Sequence, residues 1–401
     1  MSSAHPITVV GVGAGGWPDL PGPAQAALTA AEVVFGSSRQ LGLLPADVAA
    51  RRVPWPSPLV PALPGLLGAE RERRVCVLAS GDPMFHGIGT TLARVLGPSA
   101  IRVVPHPSSV SLAAARLGWA LDGTDVVSLV TAPVETLHRL INPGRRILVL
   151  SAGAHTPAAV AALLVQRGHG SAALTVLEQI GGDGERMITG AAESWSFPDG
   201  DPLNIVAVEC GDGPALAVTS GIPDDCYETD GQLTKREVRA VTLAALGPVP
   251  GALLWDVGAG SGSIGIEWMR SHPSCRAIAV ESSAGRIATI TANAAALGVP
   301  GLRTVHGRAP DALDGLPRPD TIFIGGGLTR DGVLDRCLAE LRPGGRLVAN
   351  AVTVESEAVV AAAYAKLGGE LTRITVQRGS PVGGFTGWRS FMPVTIWSVT
   401  P

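Results

Sequence analysis

Short apolar runs alternate along this chain with longer stretches of helical periodicity. Residues 7–10 form a β-branched run that enters a glycine loop, residues 24–31 have helical composition, and residues 33–35 are β-branched again, so the chain opens as a βαβ unit. Further strand-type runs fall at 75–79, 101–104, 147–150, 173–177 and 204–208, with helix-like stretches between several of them. They predict a complete α/β domain over 1–210. Periodicity then lapses in a segment rich in glycine, proline and aspartate, which marks 211–225 as a linker. A second domain is expected over 226–401. Its first helix spans 234–245, and strands follow at 253–256, 276–280, 302–305, 320–324 and 345–349, the alternation of a doubly wound sheet. Two late apolar runs, 370–376 and 393–399, have no long helix between them and predict an antiparallel pair at the sheet edge.

Composition adds exclusions. A chain of 401 residues is long for one core, and 46% hydrophobic content with a mean hydropathy of +0.30 fits folded α/β domains. A net charge of −3 and an aromatic content of 4% leave no basic, aromatic-studded footprint, so no nucleic-acid partner is expected. The five cysteines contain no C-x-x-C pair, which fits a reducing cytoplasm and shows no structural metal site. Only two lysines occur, Lys235 and Lys366, and neither sits in a P-loop or Schiff-base motif. The longest apolar stretch, 147–165, is interrupted by Gly153, His155 and Pro157, and the first residues lack a secretory leader pattern. A soluble, cytoplasmic protein without a membrane segment is expected.

The densest chemical motif is LLWDVGAGSGSIGIEW at 253–268. An apolar strand ending at Asp256 runs into Gly258, Ala259, Gly260, Ser261 and Gly262, where missing β-carbons let a ligand lie on the backbone and a following helix offers free N–H groups. The next strand ends at Glu281, a position from which a carboxylate accepts hydrogen bonds from both ribose hydroxyls. The G-x-G-x-G spacing differs from the dinucleotide G-x-G-x-x-G and is the form seen in S-adenosylmethionine (SAM) methyltransferases. A later strand, DTIFIGGG, ends in three glycines and supplies a second wall of the same cleft. Ala309, in the loop after the third strand, is placed either to meet an adenine ring or merely to start a helix. Thr234 opens the first helix and is expected to cap it.

In the first half, Gly11, Gly13 and Gly16 match G-x-G-x-x-G, yet Glu32 precedes the second strand instead of ending it, which weakens a dinucleotide reading. A second open loop, Gly81, Asp82, Pro83, Met84 and Phe85, follows another strand. Ser108 and Ser109 start a helix and read as its cap.

The segments VVGVGAGG, ASGDPMFHGIG and PHPSSVSLAAARLGW resemble the tetrapyrrole methylase family, in which SAM lies in a cleft between two α/β subdomains. ETDGQLTKREVRA, DVGAGSGSIGIE, the FIGGG strand end and the closing PVTIWS resemble the decarboxylating precorrin methyltransferase domain, a Rossmann-type fold with a seven-stranded mixed sheet. Their order on one chain is similar to the fused C5,15-methyltransferases of cobalamin biosynthesis. The resemblance implies two SAM sites, methylation of precorrin-6B at C5 by the first half, and methylation at C15 with loss of the ring C acetate carboxyl by the second, giving precorrin-8X. It places SAM against Thr234, Gly258 to Gly262, Glu281 and Ala309 in one domain, and against Gly11, Gly13, Gly81 to Phe85, Ser108 and Ser109 in the other. A tetrapyrrole bears many carboxylates, for which Arg236, Arg239 and Arg389 are the candidate partners. Such domains commonly associate, so a homo-oligomer is expected. Alternatives are a cobalt-loaded precorrin, an RNA or protein substrate, or a SAM-binding module without catalysis. Fusion of both activities favours the metal-free macrocycle.

Overall fold

The computed structural model describes residues 6–401. The chain divides into two compact units, residues 1–134 with 140–214, and residues 135–139 with 215–401.

The first unit holds two five-stranded sheets. Strands β1 (Ile7–Val12), β2 (Val33–Gly36), β3 (Arg51–Pro54), β4 (Val75–Ser80) and β5 (Ile101–Val104) are all parallel, in the order β3-β2-β4-β1-β5. The central strands β1, β2 and β4 are nearly continuous runs of buried Val, Ile, Leu and Phe, as expected where helices cover both faces. Strands β6 (Asp125–Ser128), β7 (Arg146–Leu150), β8 (Ala173–Glu178), β9 (Arg186–Ala191) and β10 (Asn204–Glu209) make a mixed sheet ordered β6-β7-β10-β8-β9, with only the β6–β7 pair parallel.

The second unit is a seven-stranded sheet built from β11 (Leu253–Val257), β12 (Arg276–Glu281), β13 (Arg303–His306), β14 (Thr321–Ile324), β15 (Arg346–Ala351), β16 (Glu370–Ile374) and β19 (Val394–Val399). Its order is β13-β12-β11-β14-β15-β19-β16, parallel except for β19, which runs antiparallel to both neighbours. The expected antiparallel edge pair is therefore present. Between its members the chain inserts a two-stranded hairpin, β17 (Gln377–Val382) and β18 (Phe385–Ser390). Trp255, Trp268 and Trp397 are fully buried in the two apolar layers that cover the sheet.

The stretch 211–225 is not a free linker throughout. Leu216 and Ile222 are buried in the core of the second unit, and the backbone N–H groups of Gly221 and Ile222 donate to the buried Glu267 carboxylate at 2.7 and 3.1 Å. An irregular backbone can be interior when a buried acid satisfies its donors, which explains why periodicity did not reveal it.

Candidate functional site

In the second sheet the chain leaves β11, builds β12 and β13 on one side, and returns to β14 on the other. The crevice at the carboxyl ends of β11 and β14 is the topological switch point where doubly wound folds bind ligands. A cavity of about 870 Å³ opens there. Its floor is the loop Gly258–Ser261, and its walls include Thr234, Lys235, Glu281, Ala309, Gly325 to Arg330 and Asn350.

Local geometry explains the glycines. Gly258, Gly260 and Gly262 have φ of 69°, 60° and 78°, in the left-handed region. A β-carbon on Gly258 would lie 2.6 Å from the backbone of Gly326, so the two glycine loops touch only because neither carries a side chain. Glu281 is 5% exposed. One of its oxygens accepts the Gly260 N–H at 3.0 Å, the other the Ser283 N–H at 2.9 Å and the Ser282 hydroxyl at 3.3 Å. A carboxylate offers about four lone-pair sites, so acceptor capacity facing the cavity remains. Beneath the loop, Asp256 Oδ2 accepts the Gly265 N–H at 2.9 Å and braces the start of helix Ser263–Ser271, while Oδ1 has no partner. Burial, with the nearby Glu281 charge adding to it, pushes the Asp256 carboxyl up to about 7.

Thr234 lines the cavity but caps nothing: the helix runs Arg236–Leu246, with Lys235 as its N-cap residue and no side-chain cap bond. Ala309 also lines the cavity, ahead of a short 3-10 turn at Asp311–Leu313. The arginine expectations need correction. Arg239 is fully buried; its Nε donates to Glu267 at 2.5 Å, and its other nitrogens donate to Asp224 and to the carbonyls of Thr234 and Ile222. It cannot meet a substrate. Arg236 pairs with Glu237, and neither Arg236 nor Arg389 lines the cavity. Of the cations that do, Lys235, Arg308 and Arg330 sit in irregular segments where spacing carries no facing information, and Arg286 lies in the first turn of helix Ala284–Ala296.

In the first unit, the predicted segments converge at the carboxyl edge of the parallel sheet. A β-carbon on Gly11 would overlap the Gly81 carbonyl oxygen, one on Gly81 would lie 3.2 Å from Ser108 Cα, and one on Gly13 would lie 2.6 Å from the His106 ring. Asp82 Oδ1 accepts the Met84 N–H at 2.8 Å, forming the turn, and Phe85 packs edge-on against His86 at 4.8 Å. Ser108 is the N-cap of helix Ser109–Leu117, accepting the Ser111 N–H at 3.0 Å. His106, which the motifs did not single out, lies among these loops with Nδ1 3.0 Å from the Pro107 carbonyl.

A glycine-floored cleft at the switch point with a buried carboxylate on the neighbouring strand defines the second unit as a Rossmann-type methyltransferase fold. The tetrapyrrole (corrin/porphyrin) methylase family matches residues 6–195, and the precorrin methyltransferase domain family matches residues 225–401. A precorrin-6Y C(5,15)-methyltransferase (decarboxylating) of Mycobacterium tuberculosis (strain CDC 1551 / Oshkosh) is 49% identical over 399 residues, 98% of this chain and 99% of that protein. Two shorter relatives each match less than half of the chain. A probable cobalt-precorrin-6B C(15)-methyltransferase (decarboxylating) of Pyrobaculum calidifontis is 35% identical over 44% of this chain and 94% of its own length. A cobalt-precorrin-7 C(5)-methyltransferase of Salmonella typhimurium is 30% identical over 45% of this chain and 88% of its own. The chain belongs to the family of decarboxylating precorrin-6Y C(5,15)-methyltransferases.

Proposed function

We propose that the chain methylates precorrin-6B at C5 and C15 and decarboxylates its ring C acetate, consuming two SAM and yielding precorrin-8X, two S-adenosylhomocysteine and one carbon dioxide in cobalamin biosynthesis. The observation that carries the reading is the switch-point cavity, which brings Gly258–Ser261, Glu281 and Thr234 together at a volume of about 870 Å³, within the roughly 300–1,000 Å³ of ligand pockets. SAM supplies an electrophilic methyl group to a nucleophilic macrocycle carbon. The chain's own part is to hold the adenosine on the glycine loop, grip the ribose with Glu281, and keep the reacting atoms in line, which can supply several kcal/mol of the acceleration. In the decarboxylation the acetate's carboxyl C–C bond breaks, its electron pair enters the protonated macrocycle, and a proton from water completes the methyl group left behind.

The SAM site of the first unit lies at Gly11, Gly13, Gly81 to Phe85, Ser108 and Ser109. The C5 step belongs to the first unit and the C15 and decarboxylation steps to the second, in keeping with the existence of half-length relatives for each. The macrocycle is metal-free and the enzyme works in the cytoplasm; among the described residues no helix is long and apolar enough to cross a membrane. Self-association is part of the reading, supported by the exposed cross-strand pair Val382 and Phe385 and by Trp388, exposed nearer the base of the β17–β18 hairpin. The test is mass spectrometry of the product formed from precorrin-6B and SAM: two methyl groups gained and one carbon dioxide lost are expected, and an unchanged mass would refute the assignment.

A further inference from the structure

The cavity of the second unit is electrically lopsided. Among its lining residues four are cationic, Lys235, Arg286, Arg308 and Arg330, and one is acidic, Glu281, whose oxygens serve its own loop and, in the reading above, the ribose. Two of the cations are neutralised nearby. Arg286 is bonded to Asp230 at 2.8–2.9 Å and draws that carboxyl below its usual range, and Arg330 lies 3.9 Å from Asp311. Lys235 and Arg308 have no carboxylate partner among the described residues. They come from different segments, Lys235 from the turn before helix Arg236–Leu246 and Arg308 from the loop after β13. Another part of the lining is apolar: Val376, Phe391, Met392, Val394 and Val352. Phe391 is held in place there, its N–H donating to the Val376 carbonyl at 3.0 Å and its ring lying 5.3 Å from the Arg378 guanidinium.

An apolar wall with unpaired cations suits a flat conjugated ring that carries carboxylates on its rim. We propose that Lys235 and Arg308 are specificity-determining residues of the second site, binding peripheral carboxylates of the tetrapyrrole while the apolar wall takes its face. The proposal rests on the functional reading above and replaces Arg236, Arg239 and Arg389 in that role. The carboxylates they hold are not the reacting acetate, because a cation paired with that group would stabilise the anion that must be consumed.

The experiment uses the full chain and compares wild type with Lys235→Gln, Arg308→Gln and Lys235→Arg. Wild-type turnover of precorrin-6B is measured first, and its absence would overturn the functional reading and this proposal together. Given turnover, each Gln variant raises KM for the tetrapyrrole roughly 10-fold, the worth of a charge-assisted hydrogen bond. Lys235→Arg recovers most of the loss, and the wild-type rise of KM with salt flattens when Lys235→Gln and Arg308→Gln are combined in one chain. SAM affinity, read by calorimetric titration, stays within about twofold. Three results would overturn the proposal while leaving the functional reading standing: an unchanged KM, a loss that falls on SAM affinity and so puts Lys235 on the methionine carboxylate, or faster carbon dioxide release per methyl transferred, which would put it on the reacting acetate.

Discussion

Asp256 on β11 and Glu281 at the end of β12 are two buried carboxyls beside one glycine loop, and their surroundings separate their roles. Glu281 faces the cavity and accepts from two backbone N–H groups and a hydroxyl. If each unit binds one SAM, Glu281→Gln should weaken binding in the second unit by roughly 10- to 100-fold, since hydrogen bonds to a charged group contribute about 1.5–3 kcal/mol each, and titration calorimetry would show one of two binding events weakened. Asp256 does not line the cavity and keeps one oxygen unpartnered. Its carboxyl, at about 7 when folded, holds a proton that the unfolded chain, at about 4, has already lost. The folded state therefore loses stability as pH rises from about 4 to 7, and the penalty levels off above that. Asp256→Asn removes this slope. Its melting temperature relative to wild type should climb between pH 5 and pH 7.5 and then stay flat; a constant difference across that range would show that burial does not set the Asp256 charge.

Elements whose burial follows a period were legible from sequence, and elements held by polar networks or exposed on all sides were not. The five parallel strands of the second sheet and its antiparallel edge pair follow from apolar runs. The β17–β18 hairpin escaped because RGSPVGGFTGWRS has neither an apolar face nor a clean alternation, and its strands pair only with each other. Arg239 escaped for the opposite reason: an arginine near the start of a helix that opens beside the cleft looks like a substrate contact, and only the fold shows Glu267, Tyr227 and Asp224 closing around it. Arg239→Ala leaves the Glu267 charge buried without its cation and should cost about 3–5 kcal/mol, read as a lower midpoint in denaturant unfolding. A rise in KM without loss of stability would restore the substrate role. The same network reaches the hairpin, since Arg378 on β17 binds Asp224 at 2.9 Å and Glu237 at 2.6 Å and lowers the Glu237 carboxyl. With its base anchored, the hairpin presents Phe385 beside the turn at 84% exposure and Trp388 nearer the base at 77%. If the hairpin mediates self-association, Phe385→Asp with Trp388→Asp should shift the chain to monomer in light scattering while circular dichroism stays unchanged; an unaltered mass would clear the hairpin of that role.

At the scale of the whole chain, the two glycine clefts belong to separate compact units, so each can be disabled through a backbone contact of its own. An added methyl at Gly11 overlaps the Gly81 carbonyl and lies 2.7 Å from the His106 backbone nitrogen, driving apart two loops of the first cleft. One at Gly258 meets the Gly326 backbone at 2.6 Å from a φ of 69°, which costs a further 1–2 kcal/mol or so for a non-glycine residue. Neither change alters charge or removes a hydrogen-bonding group, so the lesion stays local. If C5 methylation belongs to the first unit, Gly11→Ala should yield a product with one methyl gained and carbon dioxide lost, and Gly258→Ala should retain the acetate and gain at most one methyl. Mixing the two variants should restore the doubly methylated, decarboxylated product, because an intermediate released by one cleft can be taken up by an intact cleft on another chain. Failure of the mixture, with each variant alone active at its remaining site, would mean that the intermediate never leaves the chain that made it. Loss of both methylations in either variant would contradict the division of labour itself.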